Sequence, residues 1–156
     1  MHQIDLSDLP DDRSKVDQVY FFTASNLSLV NSLEYNDINN LQLSIHHNGT
    51  EANRWIAIEL SAPVAMHDTM GLETWIGISI NDDNPDTDKR SARSITATAG
   101  QSTPLYIKSF HRLGAQRTTI VEGKCRVNGG QARIEDSASL TVTILSSNTT
   151  VNLALP

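Results

Sequence analysis

The chain has 156 residues, 38% of them hydrophobic and 19% charged, with a formal net charge of −6, a pI near 5.2 and one cysteine, Cys125. That length suits one domain that buries about two thirds of the surface its unfolded chain would expose, without a disulfide framework or structural metal. The acidic balance argues against general nucleic-acid affinity, and residues 1–15 hold no apolar run of the kind a signal peptide or membrane anchor needs.

Residues 1–17 are expected to form an N-terminal arm. Ile4, Leu6 and Leu9 are scattered among acids, Pro10 interrupts, and neither helical nor strand periodicity lasts long enough to specify an element. The aromatic and β-branched run at 18–24 is the first convincing strand, and the pattern at 26–34 fits a bulged strand or one helical turn. Asn- and Asp-rich 35–40 reads as loop, because these residues tolerate turn conformations. Leu41, Leu43 and Ile45 alternate with polar residues in a half-buried strand, Asn48-Gly49 supplies a turn, and 54–61 is expected to return beside it as a hairpin.

The motif W-I-x-I occurs at Trp55 and again at Trp75. Two copies are too few for a repeat architecture, so they are read as two core strands with Ile56, Ile58 and Leu60, and Ile76, Ile78 and Ile80, facing inward. Residues 81–90 form the most distinctive loop. Strands are then expected at 93–99, from Pro104 through Phe110, and at 117–127, where Asn128-Gly129-Gly130 predicts a hairpin onto 131–135. Residues 137–156 carry no charge. They read as two strands, the first with Leu140, Val142 and Ile144 on one face, the second with Val151, Leu153 and Leu155. So greasy a pair must be central in a sheet or covered by a partner. Nine or ten strands at this spacing predict an all-β fold: an antiparallel β-sandwich, jelly-roll-like or Ig-like, over 18–156 and preceded by the arm.

Charge is split along the chain. Residues 1–88 hold fifteen acids against Arg13, Lys15 and Arg54, whereas 89–156 hold nine bases against Glu122, Glu135 and Asp136. The halves either neutralise each other within one fold or suit copies that meet acid face to basic face.

Candidate chemistry is sparse. Asp82, Asn84, Asp86 and Asp88 place oxygens at alternate positions, as in the opening of a calcium loop, but Thr87 and Arg93 stand where an EF-hand needs Gly and Glu. The bland reading is a solvated loop whose acids meet Lys89, Arg90 and Arg93. His46 and His47 are adjacent, so on a strand they point to opposite faces and cannot readily share an ion. His67-Asp68 could pair a base with its orienter, yet no nucleophile frame, glycine-rich phosphate loop or C-x-x-C surrounds it. Cys125, between Lys124 and Arg126, is either a mildly activated thiol or a small buried residue. Lys108, Arg112, Arg117, Lys124, Arg126 and Arg133 could line one basic face, with Tyr106 and Phe110 the only aromatics among them. Three N-x-S/T triplets, at Asn26, Asn48 and Asn148, are about what chance provides.

The expectation is therefore a non-enzymatic, cofactor-free structural subunit of a virus particle, found in the virion. It would be a bacteriophage capsid decoration (cement) protein or small coat protein, partnered by copies of itself, in symmetric oligomers such as trimers, and by a major capsid protein. Ile4, Leu6, Leu9, Val151, Leu153 and Leu155 are its candidate interface residues. The alternative is a carbohydrate-binding or adhesion module with Trp55 or Trp75 as the sugar platform and calcium held at residues 82–88. Neither reading calls for a membrane.

Overall fold

The computed structural model describes residues 1–6, 17–47, 54–87, 89–146 and 151. Among the described residues, eleven strands form two facing sheets. They are β1 (His2–Asp5), β2 (Gln18–Thr23), β3 (Ser28–Val30), β4 (Asn36–His46), β5 (Trp55–His67), β6 (Glu73–Ile80), β7 (Ser91–Ile95), β8 (Ser102–Arg112), β9 (Thr118–Val127), β10 (Ala132–Ile134) and β11 (Ser139–Ile144). The first sheet runs β1-β4-β9-β6-β7. In the second, β5 is flanked on one edge by β8 and on the other by β11 and then β10, with β2 and β3 outside these.

The pairing follows one rule. β6 pairs with β7, β5 with β8, β4 with β9 and β2 with β11, all antiparallel. Strands equally far from the β6–β7 hairpin therefore meet, as in one long hairpin rolled into two sheets, which is the jelly-roll form of the expected sandwich.

Alternation explains the core. The two W-I-x-I strands face each other from opposite sheets, with Ile56, Ile58, Leu60, Ile76 and Ile78 fully buried. Leu41, Leu43 and Ile45 from β4, Val121 and Cys125 from β9, and Leu140, Val142 and Ile144 from β11 complete it. β11 lies between β2 and β5, so its greasy face is central, as its sequence requires.

Several expectations are corrected. The sandwich takes in the start of the proposed arm: β1 pairs in parallel with β4, His2 stacks on Phe22, and Leu6 is in the core at 2% exposure. Four residues with polar neighbours are too short a run to display a period. Residues 36–40 belong to β4, which bulges between Asp37 and Gln42 with Asn40 at φ 66°, so Ile38 is fully buried. Both predicted Asn-Gly hairpins fail, because β4 and β5 lie in different sheets, and so do β9 and β10. Between β9 and β10 the polypeptide crosses from one sheet to the other instead of reversing within one.

Candidate functional site

The two outer faces differ in chemistry. On the first sheet the outward residues are charged and tied to one another. Arg126 lies over the Trp75 ring at 4.2 Å and the Tyr35 ring at 5.2 Å, and Arg93 from β7 lies 5.2 Å from the Trp75 centroid. Carboxylates close the stack: Arg93 donates to Glu73 at 2.8 Å, Arg126 to Asp86 at 3.1 Å, and the Tyr35 hydroxyl to Asp86 at 2.8 Å. Burial and the Asp86 carboxylate push the Tyr35 phenol up to about 12. Beside the stack, Lys124 reaches Glu122 at 3.0 Å, Asp37 at 3.2 Å and Asp82 at 3.4 Å. Its burial opposes the charged form, but the hydrogen bonds to Glu122 and Asp37 prevail and raise its pKa. The β6–β7 loop folds back over this face, where Pro85 is buried against Gly77.

The alternating acids of that loop are therefore distributed among different partners. Asp82 meets Lys124, the Asn84 side chain accepts from the Asp86 amide at 3.0 Å, and Asp86 faces Tyr35 and Arg126. Asp83, which the alternation passes over, accepts from the Ile80 amide at 2.8 Å and pairs with the buried Arg90. Asp88 lies outside the described residues. Among the described residues no three His, Cys, Asp or Glu side chains are grouped so as to hold an ion.

Other candidates have structural partners. His46 contacts Thr118 at 3.1 Å and His47 contacts Thr119 at 3.2 Å. His67 is 1% exposed, and both ring nitrogens are engaged by backbone: Nε2 donates to the Gly129 carbonyl at 2.9 Å and Nδ1 accepts from the Thr69 amide at 3.0 Å. Burial and nearby Asp37 push the Cys125 thiol up to about 12, which decides for the buried reading. The basic residues do not form one face. Lys124 and Arg126 lie on the first sheet, Lys108, Arg112 and Arg133 on the second.

The outer face of the second sheet mixes exposed apolar side chains with the cations Lys108, Arg112 and Arg133. Two rows of paired residues cross it: Val19, Thr143, Ala57 and Phe110, then Phe21, Thr141, Glu59 and Lys108. Val19 is 63% exposed, Phe21 62% and Tyr106 56%. The one carboxylate in these rows, Glu59, is paired with Lys108 at 2.8 Å and accepts from the Tyr106 hydroxyl at 3.0 Å. Those two hydrogen bonds, Lys108 first, hold its pKa below the usual carboxylate range. At the far end the face continues through Leu29 and Met66 into a cavity of 390 Å³ that also reaches Leu27, His67, Asp68 and Arg133.

No protein-family model matches the sequence. No curated protein matches it either. Solved structures do match the fold. The infectious bursal disease virus VP2 subviral particle aligns with TM-score 0.51 and 16% identity over 85% of this chain. The particle of the same virus, Gt strain, aligns with TM-score 0.51 and 15% identity over 85%. In both, the alignment spans 34% of the virus chain's length. The Eiger TNF of S. frugiperda aligns at 10% identity over 90% of this chain and 99% of its own, with TM-score 0.46. The likeness is one of fold.

Three of the six expected interface residues are among the described ones. Leu6 is in the core, and Ile4 packs against it half-buried. Val151 is half-buried and not in a strand, while Leu9, Leu153 and Leu155 lie outside the described residues. Exposed apolar residues include the outward positions of β2, where Val19 and Phe21 fall at every second residue, and of β8, where Tyr106 and Phe110 flank Lys108. That i, i+2 pattern was readable. Which of the two faces the core takes was not.

Proposed function

We propose that the chain is a structural subunit of a virus particle, one that decorates or cements a bacteriophage capsid or serves as a small coat protein, with no enzymatic activity and no required cofactor. Its partners are copies of itself and a major capsid protein, and its place is the virion. The observation that carries this reading is the set of large apolar side chains exposed on the second sheet, Val19, Phe21, Tyr106 and Phe110, beside a first sheet whose charges are mostly paired beneath a folded-back loop. Large apolar side chains left exposed on one sheet face mark contact surfaces. The jelly roll adds support, since virus particles are among the assemblies built from it, and the VP2 structures share the fold. The role would be mechanical: each contact adds buried area that resists separation of shell proteins. A sugar platform has less support, because Arg126 and Arg93 already stack on Trp75. Quantitative mass spectrometry of purified particles is the test, paired with their thermal rupture. The chain should be present in a fixed ratio to the major shell protein, and particles lacking it should rupture at lower temperature. Its absence from particles would end the reading.

A further inference from the structure

The outward positions of β8 alternate in chemistry. Tyr106, Lys108, Phe110 and Arg112 follow one another at every second residue as ring, cation, ring and cation, and all four are exposed. At the usual rise of a strand, successive members stand about 7 Å apart in a stripe about 20 Å long. Glu59 on β5 accepts from the Tyr106 hydroxyl at 3.0 Å and pairs with Lys108 at 2.8 Å, and the Lys108 ammonium lies 5.8 Å from the Phe110 centroid. These contacts hold the stripe in register before any partner arrives, which lowers the cost of ordering it on binding. Charge is unbalanced here. The strands of this sheet hold Glu59 as their one acid against Lys108, Arg112 and Arg133, although the whole chain carries −6.

Going beyond the particle reading and without resting on it, we propose that this stripe binds a single-stranded nucleic acid. Bases stack on Tyr106 and Phe110, and phosphates meet Lys108 and Arg112. Rings interleaved with cations suit a single strand, because every base has a π-face and every link a negative charge. A duplex fits less well, since its base faces are already stacked on one another. An anionic bilayer also fits less well. It is a broad plane that would meet Asp68 and Asp136, exposed in the loops that leave β5 and β10, whereas a single strand touches the stripe alone. The β2 side of the same sheet carries no charge, and its exposed Val19 and Phe21 are left for contacts between proteins.

Fluorescence anisotropy of labelled oligothymidylate and oligouridylate of about 16 nucleotides, titrated with the purified full chain in about 50 mM salt, tests this. Saturable binding of at least one is expected, with a dissociation constant on the order of 10 µM. The logarithm of the affinity should fall with that of the salt concentration at a slope of about 1.4, as for two phosphate contacts. Phe110→Ala should weaken binding about 10-fold, whereas Phe110→Trp should keep it. Arg112→Gln should weaken it and lower the slope by about 0.7. Circular dichroism of each variant separates lost contact from lost fold, and Arg112→Gln at the strand's end keeps the test decisive should Phe110→Ala unfold. Four results would overturn the proposal: no binding at about 100 µM protein, equal affinity for the matching duplex, binding to phosphatidylserine vesicles without binding to either oligonucleotide, or binding indifferent to both Phe110→Ala and Arg112→Gln. The particle reading fails separately, because it turns on the presence of the chain in particles and not on what the isolated chain binds.

Discussion

Pro85 sits on Gly77 because β6 carries no side chain there. A Cβ at Gly77 would stand 2.6 Å from the Pro85 Cβ and 3.0 Å from Tyr35 Cε1. Proline cannot turn aside, so Gly77→Ala should lift the β6–β7 loop and loosen the Tyr35–Arg126–Trp75 stack. We expect a loss of about 1–3 kcal/mol in urea unfolding, as for other overpacked sites. Cys125 gives a second prediction. Its folded pKa is raised to about 12, whereas an unfolded thiol ionises near about 8.5. Between those values the unfolded chain loses the proton first, so stability falls as pH rises, by about 1.4 kcal/mol per pH unit. Urea midpoints measured from pH 7 to 10 should decline from about pH 8.5 in the wild type and stay level to about pH 10 in Cys125→Ala, where Tyr35 and Lys124 take over. An unchanged onset in the variant would refute the assignment. Little of this was legible in the sequence: the W-I-G motif places Gly77 on a strand, but not beneath a proline eight residues on.

At the scale of elements, periodicity was informative where a run was long and alternation clean. β5, β6, β9 and β11 stand where their Ile, Leu and Val residues placed them, because each turns those residues to the core. Turn chemistry misled. Asn-Gly specifies a local reversal, but which strand lies next is decided by where the apolar face finds cover, and Gly130 instead brings the crossing segment within 2.9 Å of His67, measured from a would-be Cβ. β1 was invisible for a related reason: four residues gain their strand form from β4 and not from their own pattern. Leu6, just beyond β1, decides between an arm and an integral strand. If it belongs to the core as found, Leu6→Ala should cost about 2–5 kcal/mol in urea unfolding. A solvent-exposed arm residue would shift the midpoint by no more than about 0.5 kcal/mol, and that result would return the segment to the surface.

For the whole molecule, the nested pairing orders the cost of closing contacts. Between β6 and β7 lie about ten residues, and between β2 and β11 about 115. Closing the outer pair from an open chain costs about 2 kcal/mol more in loop entropy than closing the inner one, since that cost grows with the logarithm of loop length. Once β6–β7 has formed, β5–β8 and then β4–β9 each close across a short remaining gap, so the roll is favoured to assemble from its hairpin outward. The β2–β11 pair then comes late. Folding should be slow for a chain of this size, in milliseconds to seconds, because most pairings join distant segments. Substitutions at the two ends of this order should act on different limbs of the kinetics. Ile78→Val, in the inner hairpin's core, should mainly slow refolding, while Val142→Ala, in β11, should leave refolding nearly unchanged and speed unfolding. Stopped-flow fluorescence of the two half-buried tryptophans in urea reads both limbs. If Val142→Ala slowed refolding as much as Ile78→Val does, the outer pair would already be formed at the barrier. The roll would then have closed as a whole, and loop entropy would not set its order.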